Sequence, residues 1–549
     1  MDILTKQYNY IKSCINDKRQ IVDKKLKSPL EFQYHYTSFI LSSIMMNDTE
    51  HLEQVVQYYL SISKEKMKPS NDFNVALLLL ALENDKNNLL SEYKEVILKS
   101  IYHNNDEELY KLNNNFRALR LVGLLLEDKI TQEKLNTIKI DKEIEWVLNL
   151  QFEDGFFPDS NMKYEVEKNR GVPHLIYHTK ITMCLGIAYR CTQDSRLLET
   201  FNKAIDVLLD LSIENYYFFY GRSTNALFGY GSFYLTLMMA YKFNNDAKYL
   251  KLAEDVLMYL QKFQHDDGHV SINLNQDDSN RLGFDAYMYD LVYNTYSNAM
   301  FLYANSIKKD LIPLELNEEK KKIPNIRVYK DSGFVVHEYK SIKYCFNYKG
   351  HQDSLKHRFD SRVSPFSLLY FQKDGQNLLP AVGYKPRGIL SLVEKKFHFK
   401  KIYARWYQLV NYDWLPLFSG NSFFYEKDGM KFYPFRCVKM LKLRNILILK
   451  FESKARKLFS KKETFDKFVI SIKLLKEPKC KIIFYEKVDE LFFTYREIQE
   501  QNNFEYSFSK EYKKLKILSI ETSYKKADLH RCRFEDIKKL EIKVKTSDS

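Results

Sequence analysis

The sequence predicts two parts of different class: an (α/α) toroid of about five to six helical hairpins over residues 1–324, then an antiparallel β-sandwich over residues 325–549. Three observations predict it. Apolar residues recur at helical spacing through the first part and at alternate positions through the last. Polar loops interrupt the helices about every 55 residues, the length of a helical hairpin with its connections. The stretch Asn317–Pro324, NEEKKKIP, is charged, ends in proline and separates the two periodicities.

Helices are expected near residues 30–45, 52–63, 73–84, 88–101, 115–127, 141–151, 174–191, 196–211, 223–243, 247–263 and 287–306. The Asp- and Asn-rich loops between them lie at Asn47–Glu50, His103–Asp106, Glu153–Ser160, Ser212–Arg222, Gln264–Arg281 and Lys308–Leu316. Two loops share Q-x-x-D-G, at Gln151–Gly155 and Gln264–Gly268, 113 positions or two periods apart. Asp-Gly is a turn signal, so each copy turns the chain after a helix. Hairpins stacked in this way close into a toroid, complete or incomplete; an open solenoid is the alternative.

Beyond Pro324 the alternation appears in Gly333–Tyr339, Ser341–Tyr348, Lys396–Lys400, Asn445–Phe451, Phe468–Leu474, Lys481–Tyr485 and Leu515–Ile520. Strands without intervening helices imply antiparallel pairing. Pro and Gly are sparse, so the strands are expected to be long and the sheets large.

Composition narrows the function classes. No run of 18 apolar residues occurs, so no membrane-spanning helix is expected. The first residues, MDILTKQYNY, lack the apolar core of a secretory signal, and a cytoplasmic protein is expected. The seven cysteines are scattered, odd in number and without a C-x-x-C pair, which fits free thiols and argues against a structural zinc site. Charge is uneven: residues 1–324 carry 38 basic and 45 acidic side chains, net −7, and residues 325–549 carry +21. A +21 half suits an anionic partner, although a solvated lysine-rich surface explains it equally well. Nucleic acid, anionic lipid headgroups and acidic polysaccharide all qualify, and no nucleic-acid-binding motif gives nucleic acid specific support. The 41 Tyr and 38 Phe fit a sugar-binding protein, although most must fill cores and strands.

Four segments concentrate candidate chemistry. In Arg170–Lys180, His174, Tyr177 and His178 fall at helical i, i+3 and i+4 positions and share one face; the alternative is a polar cluster inside the bundle. In Asn215–Tyr230, Tyr217 and Tyr220 precede Gly221, and Arg222 and Asn225 flank a Ser-Thr cap, with Tyr230 beyond. A guanidinium and an amide so close can grip one carboxylate. In Arg281–Asn298, Tyr289 and Tyr293 can share a face with Asp285, as any amphipathic helix would allow. In Asn347–Phe366, His351, Asp353, His357, Arg358, Asp360 and Arg362 break the strand pattern, and His351, Asp353, His357 and Asp360 are the candidate ligands of a structural divalent metal.

The succession of helices, charged linker, a strand opening Asp331-Ser-Gly-Phe and the Gly350-His-Gln-Asp353 loop resembles the heparinase II/III-like polysaccharide lyases. It is similar, more broadly, to the toroid-plus-sandwich lyases of alginate and chondroitin. The resemblance implies β-elimination on a uronate glycan held between the two parts, with no cofactor required. Arg222 and Asn225 would neutralise the uronate carboxylate and stabilise the charge that develops when the C5 proton leaves. His178 and Tyr230 would serve as base and acid, with Tyr177, Tyr220, His351 and His357 as further catalytic candidates. His174, Tyr217, Tyr289, Tyr293 and Arg358 would contact substrate. Family members that act on extracellular polymers usually carry a signal segment, which these first residues do not show. Two other readings compete. A glycoside hydrolase would use two carboxylates among Asp154, Asp267, Asp285 and Asp290. A non-catalytic glycan-binding or assembly protein would need the aromatics and the +21 half alone.

Overall fold

Inner and outer helices carry different apolar patterns. In the computed structural model, α5 (Asn71–Asn84) is buried at every position from Asn71 to Ala81, as a helix surrounded on all sides must be. The helix α10 (Ser195–Leu211) instead buries a stripe through Leu197, Phe201, Ala204, Ile205, Leu208 and Leu211 and leaves its other face wet. The structure describes residues 2–24, 27–67, 70–104, 114–158, 175–212, 226–271, 290–308, 325–349, 367–373, 376–377, 422–456, 463–475, 478–498, 504–508, 514–521 and 526–546.

Six helices make the inner ring: α2 (His35–Met46), α5, α7 (Asn114–Thr131), α9 (Leu175–Thr192), α11 (Ala226–Asn244) and α13 (Asp290–Lys308). Each packs on the next, and α13 returns to α2, so the ring is closed rather than open. Outside it, α1 (Ile3–Lys12) packs on α13, α3 (Leu52–Ser61) on α2, α8 (Thr137–Leu150) on α7, α10 on α9 and α12 (Ala247–Gln261) on α11. The short α4 (Lys64–Met67) and α6 (Lys94–Ser100) complete the order. No described helix is long and apolar enough to cross a membrane.

The first helix, which the periodicity reading passes over, closes the ring. Asp2 caps it, accepting from Thr5 N–H at 2.7 Å. Gln7 donates to Asn294 (2.9 Å) and Ser297 (3.2 Å), and Asn298 donates to the Leu4 carbonyl (2.9 Å). Asp23 accepts from the Leu291 N–H at the start of α13.

The repeated Q-x-x-D-G loops are staples between successive outer helices. Gln151 donates to its own Gly155 carbonyl and to Thr200 of α10. Gln264 does the same with Gly268 and with Ile3 of α1. Both glycines hold positive φ, +88° and +98°, where a Cβ would meet the carbonyl oxygen of Lys203 at 2.6 Å or of Lys6 at 2.1 Å.

The strands form two sheets. The smaller pairs β1 (Asn325–Tyr329), β2 (Phe334–Tyr339), β3 (Ile342–Asn347), β4 (Ser367–Lys373) and β5 (Gln376–Asn377) in sequence order. The larger contains β6 (Ser422–Lys427), β7 (Met430–Leu443), β8 (Ile446–Arg456), β9 (Glu463–Lys473), β10 (Lys479–Ile498), β11 (Phe504–Phe508), β12 (Lys514–Glu521) and β13 (Lys526–Thr546). Every pairing among the described strands is antiparallel, and β10 and β13 run to 20 and 21 residues, as sparse Pro and Gly imply. Alternation in the small sheet serves two partners. Phe334, Val336, Cys345 and Tyr370 join the toroid core, whereas Val335, Tyr344, Phe346 and Phe371 join the core of the large sheet. The small sheet is thus a middle layer, with the toroid on one face and the large sheet on the other.

Candidate active site

The toroid has one tight end, of short connections, and one open end, of long connections. Each described connection from an inner helix to its outer partner is short where α2, α7, α9 and α11 end, and starts with a left-handed residue: Asn47, Gln132, Gln193 or Asn245. Connections from an outer helix to the next inner helix are long, from Leu150 to Leu175, Leu211 to Ala226 and Gln261 to Asp290. All of these lead into the start of an inner helix. The Asn47–Glu50 loop, expected to belong with the others, sits at the opposite, tight end.

An aromatic residue stands at the start of every inner helix. Tyr34 is the N-cap of α2, and Phe73, Phe116, Tyr177 and Phe228 are the third residues of α5, α7, α9 and α11. Tyr293 is the fourth residue of α13. Their rings converge: Tyr34 stacks on Phe73 at 4.4 Å, Phe73 meets Phe116 at 5.2 Å, and Phe228 meets Tyr293 at 5.1 Å. Burial, with the Tyr293, Tyr296 and Tyr177 phenols nearby, pushes the Tyr34 phenol well above its ordinary range. The Tyr34 phenol is therefore protonated at neutral pH. One turn further along α9, the Lys180 ammonium lies 3.3 Å from the Phe228 centroid, 4.2 Å from Phe73 and 5.2 Å from Tyr296. Those rings come from α5, α11 and α13, so the fully buried Lys180 side chain from α9 sits close to the axis beneath the aromatic floor.

The small sheet abuts this open end. Asp154, in the first Q-x-x-D-G loop, accepts from Asp331 N–H (2.9 Å), Ser332 N–H (2.8 Å) and the Ser332 hydroxyl (2.9 Å). At the end of α10, Asp210 pairs with Arg327 and accepts from the Tyr329 hydroxyl, while Tyr370 donates to its carbonyl at 3.1 Å. Lys343 donates to the carbonyls of Leu209 and Ser212. Burial pushes the Asp210 carboxyl up against the pull of Arg327 and Tyr329, and burial pushes the Lys343 ammonium down.

The candidate residues divide on this frame. His178 is a core residue and is corrected as a general base. Its Nδ1 accepts from Phe157 N–H at 3.0 Å, and its Nε2 faces the Ala204 carbonyl at 3.1 Å, so both nitrogens are taken. The ring stacks on Phe156, and burial holds its pKa down at about 3. Tyr230 is also corrected: it is 1% exposed, packed beside Tyr259 of the outer helix α12, and out of reach of a substrate. Tyr177 and Tyr293 belong to the aromatic floor. Of the four carboxylates for a hydrolase, Asp154 is taken by the small sheet. Asp267 is bound by His269, whose hydrogen bonds outweigh burial and hold the carboxyl below its usual range. Asp290 is buried at the start of α13, and Asp285 lies outside the described residues.

His174, Tyr217, Tyr220, Arg222, Asn225, Tyr289, His351, Asp353, His357, Arg358 and Asp360 lie outside the described residues. Their described neighbours in the chain do lie at the open end. Asp154 and Ser212 touch the small sheet, and Lys349, the last described residue before His351, donates to the Asp331 carbonyl beside Asp154. Among the described residues no group of three or more His, Cys, Asp or Glu could hold a metal, and the seven cysteines are free thiols. Sequence reasoning missed Lys180 and the six-fold aromatic floor. The signal was present, an aromatic within the first turn of each inner helix, but is visible only after the helix starts are aligned.

No protein-family model and no curated protein matches the sequence. Solved structures do. Heparinase III superposes with a TM-score of 0.54 at 10% identity, covering 100% of this chain and 85% of its own. The chain has the fold of heparinase III. Heparan sulfate lyase HepC from Pedobacter heparinus follows at a TM-score of 0.48 and 11% identity, covering 94% of this chain and 76% of its own. A family 88 glycosyl hydrolase from Bacteroides vulgatus has a TM-score of 0.40 at 10% identity, with 56% of this chain and 99% of its own covered.

Proposed function

We propose that this chain is a carbohydrate-active enzyme, a polysaccharide lyase that cleaves a uronate-containing glycan by β-elimination at the open end of the toroid. The observation that carries the reading is the meeting of that end with the small sheet at Asp154 and Ser332, on the fold of heparinase III. It gathers the chain neighbours of Arg222 and Asn225 with those of His351 and His357.

The chemistry takes one proton from C5, delivers one to the leaving oxygen and needs no cofactor. A base takes the C5 proton, the electrons form the new double bond, and the C4–oxygen bond to the leaving sugar breaks as that oxygen gains a proton. The carboxylate must be neutralised for C5 to ionise, which is the work of Arg222 and Asn225. With His178 and Tyr230 in the core, the base is His351 or His357, and the proton donor is Tyr220 or Tyr177. The hydrolase reading loses support because Asp154 is held by the small sheet and Asp267 by His269 of its own turn.

The test is incubation with glucuronate, galacturonate and iduronate polymers, following ultraviolet absorbance of the unsaturated product together with reducing ends. Both signals rise for a lyase. Reducing ends without absorbance would identify a hydrolase, and neither signal on any polymer would leave a binding protein.

A further inference from the structure

The outer face of the large sheet, turned away from the small sheet and the toroid, carries a charge pattern that the proposed reaction does not use. Its inner face is apolar, with Leu447, Leu449, Phe451, Phe468, Ile470, Ile472, Ile482 and Leu540 in the core. The alternate residues form rows across β7, β8, β9, β10 and β13. One row is Lys439, Lys450, Val469, Ile483 and Lys539, and another brings Lys473 of β9 opposite Lys479 of β10. The row between them holds the Lys481–Glu541 ion pair. Like charges placed directly opposite on neighbouring strands destabilise a sheet. Here Lys439 faces Lys450 and Lys473 faces Lys479.

The same face exposes apolar surface. Leu441, Leu443, Phe465 and Tyr485 are 46–54% exposed, and the Lys450 ammonium lies 5.6 Å from the Tyr485 ring centroid. An aromatic ring with lysines around it suits a sugar ring that bears a carboxylate or sulfate. Five strands at about 4.8 Å spacing give a strip roughly 20 Å wide, long enough for several sugars.

We infer that this face is a second, non-catalytic binding surface for an acidic polysaccharide chain, through Lys439, Lys450, Lys473 and Lys479 with Tyr485 as the stacking platform. It rests on the proposed glycan specificity, though not on catalysis. Held there, a long polymer stays at high local concentration around the open end of the toroid.

The test compares the full-length protein with the triple variant Lys450→Gln/Lys473→Gln/Lys479→Gln and with Tyr485→Ala. The probes are heparan sulfate, polygalacturonate, neutral dextran, and phosphatidylserine–phosphatidylcholine vesicles. The parent is expected to retain an acidic polymer in affinity electrophoresis and not dextran. The triple variant should bind about ten-fold more weakly, with a shallower salt dependence, because fewer counterions are released. It should melt no lower than the parent, since two like-charge contacts are relieved. If the protein is a lyase, KM on long polymer rises in the triple variant while turnover of short oligosaccharides is unchanged. If no polymer is cleaved, the proposed reaction fails and the binding result still stands alone. Undiminished polymer binding in the folded variant overturns the inference, as does parent protein that holds the vesicles but no polymer.

Discussion

Asp154 and Ser332, 178 positions apart, are bound through both the backbone N–H and the hydroxyl of the serine, and this contact joins the toroid to the small sheet. A carboxylate accepting three hydrogen bonds in a partly buried junction is costly to lose. Asp154→Ala is expected to lower stability by about 2–4 kcal/mol. Asp267→Ala, at the equivalent place in the second loop, removes hydrogen bonds within its own turn and is expected to cost about 1 kcal/mol. Urea denaturation of the two variants measures the difference, and equal losses would show that the junction contact contributes nothing.

The two loop glycines make a sharper test of the ring. Gly155→Ala and Gly268→Ala place a Cβ against the backbone of α10 and α1, at positive φ. Both should lose more than about 2 kcal/mol. Gly429→Ala, at φ +67° with nothing within 4 Å, should cost about 1 kcal/mol. A Gly268→Ala protein as stable as the Gly429→Ala protein would contradict the closure of the toroid through α1.

How much of this was legible follows from what each residue touches. The stripe of α10 and the alternation of β8 and β9 record burial against one partner, and periodicity finds such patterns. Helix α1 was passed over because its buried face is built from Gln7, Tyr8 and Tyr10 as much as from aliphatics. His178 was misread because a histidine on a helix face looks the same whether it meets substrate or backbone. Its partners, Phe157 N–H and the Ala204 carbonyl, carry no mark in the sequence. The Q-x-x-D-G turn was readable from Asp-Gly, but the grip of its glutamine on the next outer helix was not.

His178 also gives a pH dependence. Its ordinary pKa of 6.5 falls to about 3 in the folded chain through burial. Below pH 6.5 the unfolded chain takes up a proton that the folded chain refuses until about pH 3, so stability is full above 6.5 and lost as pH falls through that window. His35, buried and held at about 4, acts in the same direction. The slope is about 1.4 kcal/mol per pH unit for each histidine. His178→Gln should cost about 1–3 kcal/mol at neutral pH through its lost backbone contacts and should lose less than the parent on acidification. Denaturation midpoints at pH 7.5 and pH 5 test this, and parallel losses in the two proteins would refute it.

The last prediction separates site from core. Arg222 belongs to the segment between Ser212 and Ala226, and the proposed reaction needs its charge on the uronate carboxylate. Arg222→Ala is expected to lower kcat by about a hundred- to a thousand-fold, the loss seen when one stabilising donor is removed. Its melting temperature should change little. Tyr230, by contrast, is enclosed beside Tyr259, so Tyr230→Phe should keep kcat and KM while losing at most about 1 kcal/mol of stability. Parallel measurement of the unsaturated product and of thermal unfolding decides both. Intact turnover in Arg222→Ala would remove this guanidinium from the mechanism. A large kcat loss in a stably folded Tyr230→Phe would return its phenol to the reacting centre, against the burial that places it in the core.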